Sequence, residues 1–164
     1  MKAVRFDRFG GPEVLRIVEL PDPRPGPGEI RIRVRAAGIN ASIELIHRTW
    51  GSTWPDGPVT EEENFIDLVW HEREFRDGDS FTYVIYRTDH TYLGCCYLYP
   101  MGRRRPLTSE SVRHDVDASW WVTPDAYADG YYSKVYAGLQ VWLRQDLPFA
   151  APYFSNAELP QLEP

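Results

Sequence analysis

At 164 residues the chain has the length of one ordinary domain, and a fold of that size buries roughly two thirds of the surface its unfolded chain exposes. Hydrophobic residues at 43% and charged residues at 26% argue against a disordered, collagen-like or membrane-spanning chain. A formal net charge of −6 repels phosphate backbones unless one face is locally basic, so no nucleic acid is expected as a partner.

Lys2 to Phe6 and Val14 to Leu20 are short β-type runs around Gly10, Gly11 and Pro12, which predicts two strands joined as a hairpin. Met1 to Gly10 lacks the apolar stretch of a signal peptide, and no apolar run approaches the ~20 residues of a bilayer span. A cytoplasmic protein with no membrane partner is expected. Prolines gather at Pro21 to Pro27 and Pro148 to Pro164, stretches that read as connectors or tails. Glu29 to Ala36 alternates with period two, placing Ile30, Ile32 and Val34 on one strand face and Arg31, Arg33 and Arg35 on a solvated one.

After a turn-rich loop from Trp50 to Pro58, Thr60 to Glu63 reads as a capping box. Phe65, Leu68, Val69 and Phe75 follow at helical spacing, predicting a helix to about Arg76 that Asp77-Gly78-Asp79 ends. Phe81 to Arg87, Thr91 to Tyr99 and Trp120 to Val122 read as strands of an antiparallel meander. Thr123 and Pro124 form a helix entry, and Tyr131, Val135, Leu139, Trp142 and Leu143 mark a helix running to Asp146. A last short strand is expected around Ala151 to Phe154.

The two cysteines, Cys95 and Cys96, are adjacent, so they neither form a disulfide framework nor a metal knuckle and read as buried strand thiols. Their expected pKa is raised, which is unsuited to nucleophilic work. His71 has only Glu74 at ligand spacing after it, which supports a metal site poorly, so it reads as a surface histidine and no metal is expected. Trp120 and Trp121 alternate faces of a strand, and core packing is the preferred reading for both. His114 and Asp117 are candidates for a general base, which needs hydrogen-bond reach to its amine, against the plainer reading of a polar loop. Arg103, Arg104 and Arg105 read as a solvated loop tip.

Two resemblances follow from the residues. The opening M-K-A-V-R-F-D-R-F-G-G-P-E-V-L and the later G-E-I-R-I-R-V-R-A-A-G-I-N, within residues 1–40, resemble the start of the zinc-independent quinone oxidoreductases of the medium-chain dehydrogenase superfamily. That resemblance implies the first strands of a GroES-like domain. No G-x-G-x-x-G follows any strand here, so NADP is not an expected cofactor.

The pieces E-E-N-F-I-D-L-V-W-H-E-R-E-F, F-T-Y-V-I-Y, Y-L-G-C-C-Y-L-Y-P and W-W-V-T-P-D-A-Y resemble a bacterial branch of the GNAT acetyltransferase superfamily over Ile43 to about Phe154. The implied fold class is α/β: a GNAT-like mixed, mostly antiparallel sheet with flanking helices, truncated at the C-terminus, with a β-rich N-terminal segment. The implied division is a segment at 1–40, a GNAT-like domain at 41–156 and a tail at 157–164, with the Ile30 to Val34 strand replacing the family's first strand.

The implied chemistry is attack of a small-molecule amine on acetyl-CoA. The strand amide near Val122 polarises the thioester carbonyl, and free amides at a helix N-terminus hold the pyrophosphate. The cofactor-binding residues implied are Trp121, Val122, Ala128, Gly130, Tyr131 and Tyr132. The family prefers Arg or Gln and then spaced glycines in this turn, whereas here only Gly130 is in place and Asp129 adds a carboxylate. Two like charges about 5 Å apart at an effective dielectric near 20 repel by roughly 3 kcal/mol, so activity is expected to be weakened or lost. The family's leaving-group tyrosine has no counterpart by position. Two other readings compete: a non-catalytic interaction protein forming a homodimer through sheet edges, and a quinone oxidoreductase-like fragment without its cofactor domain.

Overall fold

The computed structural model describes residues 2–5, 16–19 and 40–161. Strands β1 (Lys2–Arg5) and β2 (Arg16–Glu19) pair antiparallel, Lys2 opposite Glu19 and Arg5 opposite Arg16. This is the hairpin the N-terminal pattern predicts, and it forms its own two-stranded sheet. The strand expected over Glu29 to Ala36, with its place in the main sheet, lies outside the described residues.

The main sheet has the order β3 (Phe81–Tyr86), β4 (Tyr92–Tyr99), β5 (Val116–Val122), β6 (Pro152–Phe154). The first three strands are antiparallel and β6 runs parallel to β5. A turn at Asp89-His90 closes the β3–β4 hairpin: His90 adopts φ 66°, the Arg87 amide donates to Thr91 O at 2.9 Å, and Asp89 Oδ1 accepts the Thr91 amide at 3.1 Å. Parallel pairing of β5 and β6 requires a crossover. Helices α3 (Pro124–Ala128) and α4 (Tyr131–Gln145) supply it.

Strand β5 begins four residues earlier than predicted and is buried throughout. Its polar Asp117 and Ser119 disguise the pattern in sequence, but they share one face with Trp121, while Val116, Ala118, Trp120 and Val122 share the other. On that second face Trp120 and Val122 pack with Tyr132 and Leu139, and Val116 and Ala118 pack with Leu143. On the first, Trp121 and Tyr97 meet Ile46 and Trp50 of α1 (Ile43–Trp50). Each large side chain fully buried in this way contributes about 1.5–3 kcal/mol. Both tryptophans are therefore core residues, 0% and 1% exposed.

Helix α2 (Glu61–Asp77) has the predicted capping box: Thr60 Oγ1 accepts the Glu63 amide at 3.1 Å, and the Glu63 carboxylate accepts the Thr60 amide at 2.8 Å. Gly78, with φ 74°, ends it. The predicted apolar stripe is not its buried side, since Asn64 is its one buried residue and Phe65, Leu68 and Val69 are half-buried. His71 corrects the surface reading. Its ring lies against Tyr97, 5.5 Å between centroids, and its Nε2 is 3.3 Å from Asp67 Oδ2.

Thr123 caps as expected, its Oγ1 accepting the Ala126 amide at 3.3 Å. The helix it opens is only the five-residue α3, because the chain turns at Asp129-Gly130 before α4 starts. Among the described residues no helix is long and apolar enough to cross a membrane.

Candidate functional site

The parallel pair β5–β6 ends early. Its register runs from Val116 opposite Pro152 to Ala118 opposite Phe154, and the Ser155 amide donates to Ala118 O at 2.9 Å. Beyond that point the chains part, and the Asn156 side chain takes the place of the next peptide. Its Oδ1 accepts the Trp120 amide at 3.2 Å, while Nδ2 donates to Trp120 O at 2.9 Å and to the Tyr132 hydroxyl at 2.7 Å. A carboxamide carries the donor and acceptor of a backbone unit, so it satisfies both polar groups of Trp120 where the strand has left. Trp120 O also accepts the Trp50 indole N–H at 2.7 Å.

Tyrosines fill the space beside that bridge. The Tyr132 ring stacks on Trp120 at 4.9 Å and 27°, with Tyr136 on Trp120 at 5.0 Å and 9°. The Tyr132 hydroxyl donates to Glu158 O at 2.8 Å, and burial pushes its pKa up. Tyr127 donates to the Glu158 carboxylate, and that bond is the main cause of its own raised pKa. Glu158 is held further by Arg48 Nε at 3.1 Å and by its amide, which donates to Thr49 O at 3.1 Å. One residue thereby ties α1, α3 and α4 together.

Helix α4 starts where the resemblance places a phosphate-binding turn. Gly130 is its N-cap with φ 75° and no side-chain cap, and a Cβ there would meet nothing within 4 Å. The glycine serves the left-handed backbone and not a close approach. Ala128, Asp129 and Gly130 are exposed, Tyr131 is half-buried under the Lys134 ammonium at 4.6 Å, and Tyr132 is buried. Val122 belongs to the same cluster as Tyr132. The Trp121 side chain does not, because it crosses to the α1 face and its indole N–H donates to Tyr97 Oη at 3.1 Å.

His114 and Asp117 lie toward the opposite end of β5. At ~3.3 Å per strand residue, Asp117 is about 17 Å along the strand from Val122. His114 Nδ1 is 3.0 Å from Ala151 O and its ring lies against Tyr153. Asp117 is no loop residue: it is 4% exposed within β5, and its Oδ1 has no hydrogen-bond partner among the described residues. Next to it on the same face Ser119 Oγ accepts from Arg104 Nη1 at 2.6 Å. Arg104 also lies 5.0 Å from the Trp50 and Tyr99 ring centroids, yet it stays exposed in a bend with Arg103 and Arg105, a solvated loop tip whose middle guanidinium lies over two rings.

Burial raises the thiols of Cys95 to about 11 and Cys96 to about 12, so neither is a thiolate near neutrality. Among the described residues no group of three His, Cys, Asp or Glu is placed to hold a metal ion.

Asn156 and Glu158 escape sequence reasoning. Their partners lie 36 and 110 residues away, and the only local signal is a polar Ser155-Asn156 pair directly after an apolar strand. Comparison of the chain with protein-family models, with curated proteins and with solved structures gives no match.

Proposed function

We propose that this chain is an N-acyltransferase-like protein of GNAT architecture in which acyl-CoA-dependent transfer to a small-molecule amine has been lost. The architectural half of the reading is supported by β5 and β6, a parallel pair that parts after Ala118 and is connected through a helix whose uncapped N-terminus follows Gly130. The hairpin β1–β2 fits the quinone oxidoreductase-like origin of residues 1–40.

One observation carries the loss of activity: the Asn156 carboxamide already occupies both backbone groups of Trp120 in the divergence. Acyl transfer of this type needs a free strand amide aimed at the developing oxyanion. The Trp120 amide, two residues before Val122 and so on the same edge of β5, is bonded to Asn156 and is not free, and the Tyr132 ring stacks on the Trp120 ring beside it. Asp129 places a carboxylate beside the helix N-terminus at which a diphosphate would have to bind.

Calorimetric titration with acetyl-CoA tests this directly. The full chain is expected to give no saturable heat up to about 1 mM ligand, the concentration at which a binding energy near −4 kcal/mol would register. Saturable binding together with acetylation of any amine would overturn the reading.

A further inference from the structure

The main sheet ends on β3 at one side and on β6 at the other, and the two edges are built differently. Strand β6 is three residues long and opens with Pro152, which has no amide to donate. Shortness and proline are common protections of a sheet edge. Strand β3 has neither. Its six residues, Phe81–Tyr86, contain no charge, no proline and no glycine, and among the described residues it pairs on one side only, with β4. The register of that pair breaks once, where Ile85 stands opposite Gly94 and Tyr86 opposite Tyr92, so the extra residue, Leu93, belongs to β4 and β3 itself runs without a bulge. The outer side of such a strand presents backbone N–H and C=O groups in a row, a template for a further strand.

Side chains continue that surface. Val84 and Tyr86, 46% and 56% exposed, lie two residues apart on one face. Phe75, near the end of α2, stands 5.1 Å from Phe81 and 5.6 Å from Tyr83 between ring centroids, and its own ring is 44% exposed. Charge selects the partner and its direction. The strand is bracketed by an exposed Asp79 before it and an exposed Arg87 after it, the latter also donating from Nε to Asp89 at 2.9 Å. Antiparallel pairing of two copies brings the Asp79 end of each to the Arg87 end of the other, whereas parallel pairing sets Asp79 against Asp79. The edge is thus complementary to itself about a two-fold axis, as an isologous dimer requires.

We propose that β3 pairs antiparallel with β3 of a second copy, joining two four-stranded sheets edge to edge. The strand spans about 20 Å at ~3.4 Å per residue, which places the contact among the small, transient interfaces of less than ~1,200 Å² in total. A net charge of −6 on each copy opposes the approach. The dimer is therefore weak, with a Kd of about 10–100 µM. The strand expected over Glu29 to Ala36 is the competing occupant of this edge, and a chain that stays monomeric is its outcome. The β5–β6 divergence takes no part in the pairing, so the acetyl-CoA titration and the test of the dimer are decided separately.

The test is sedimentation velocity of the full chain from about 5 to 500 µM, in wild type, Val84→Lys and Tyr86→Lys, with Val112→Lys on the β4–β5 connection as the control at another exposed position. Thermal melts identify the folded variants. Wild type and Val112→Lys are expected to pass from monomer to dimer across that range, and both edge variants to dimerise at least about tenfold more weakly, since an edge lysine blocks strand addition. Hydrogen exchange at the β3 amides of wild type is expected to slow as concentration rises. A monomer throughout, undiminished dimerisation of a folded edge variant, equal weakening by Val112→Lys, or β3 exchange that ignores concentration would overturn the proposal.

Discussion

Replacing Asn156 by alanine removes three hydrogen bonds at once, leaving the buried Trp120 amide unpaired and the Tyr132 hydroxyl without the donor it accepts from. At about 1–3 kcal/mol for each buried polar group left unsatisfied, the expected loss is about 3 kcal/mol. Urea unfolding of Asn156→Ala checks it, and a loss under about 1 kcal/mol would mean that water replaces the carboxamide. The residues most legible in sequence were those whose chemistry is local, such as the raised thiols in an apolar strand and the two strand tryptophans in the core. Asn156, Glu158 and Arg104 were illegible because their roles exist only once distant segments meet. Asp117 misled in another way, as a carboxylate in a run of charge reads as loop when it is in fact interior.

Strands β4 and β5 approach so closely at Gly94 that a Cβ there would stand 2.0 Å from Trp121 O and 2.7 Å from Val122 Cα. Gly94→Ala must push the two strands apart, with an expected cost of at least about 3 kcal/mol or failure to fold. Gly130→Ala meets no atom within 4 Å and costs only its left-handed backbone, about 1 kcal/mol. Soluble yield and urea midpoints of the pair compare crowding with backbone preference. The capping box fixed one end of α2 in sequence and Gly78 the other, and the Asp89-His90 turn located β3 and β4. Helix α1 passed unread because it is short, eight residues, and has no side-chain cap bond at its start. The polar Asp117 and Ser119 hid half of β5, and the turn at Gly130 splits what reads as one helix entry into two elements.

Groups that resist ionisation gather on β4 and at the start of α4, and they set how the molecule responds to alkali. Burial raises Cys95 to about 11 and Cys96 to about 12, and pushes up Tyr92, Tyr97 and Tyr132. Unfolded thiols ionise near pH 8.5 and tyrosines near 10. Below about pH 8.5 both states keep the thiol protons and this stability is fully present. Above it the unfolded chain releases protons the folded chain retains, so stability falls until the folded values are passed, by about 1.4 kcal/mol per pH unit for each titrating thiol. Urea midpoints taken from pH 8 to 11 are expected to fall steadily, and less steeply between 9 and 10 for Cys95→Ala. At this scale the sheet with flanking helices was anticipated through resemblance, because the parallel return of β6 leaves no local mark on the sequence. Trp120 and Trp121 are chain neighbours separated by the plane of the sheet. Two adjacent indoles thus work as fluorophores in separate compartments, and quenching either one alone would report whether the two halves of the interior melt together or in turn.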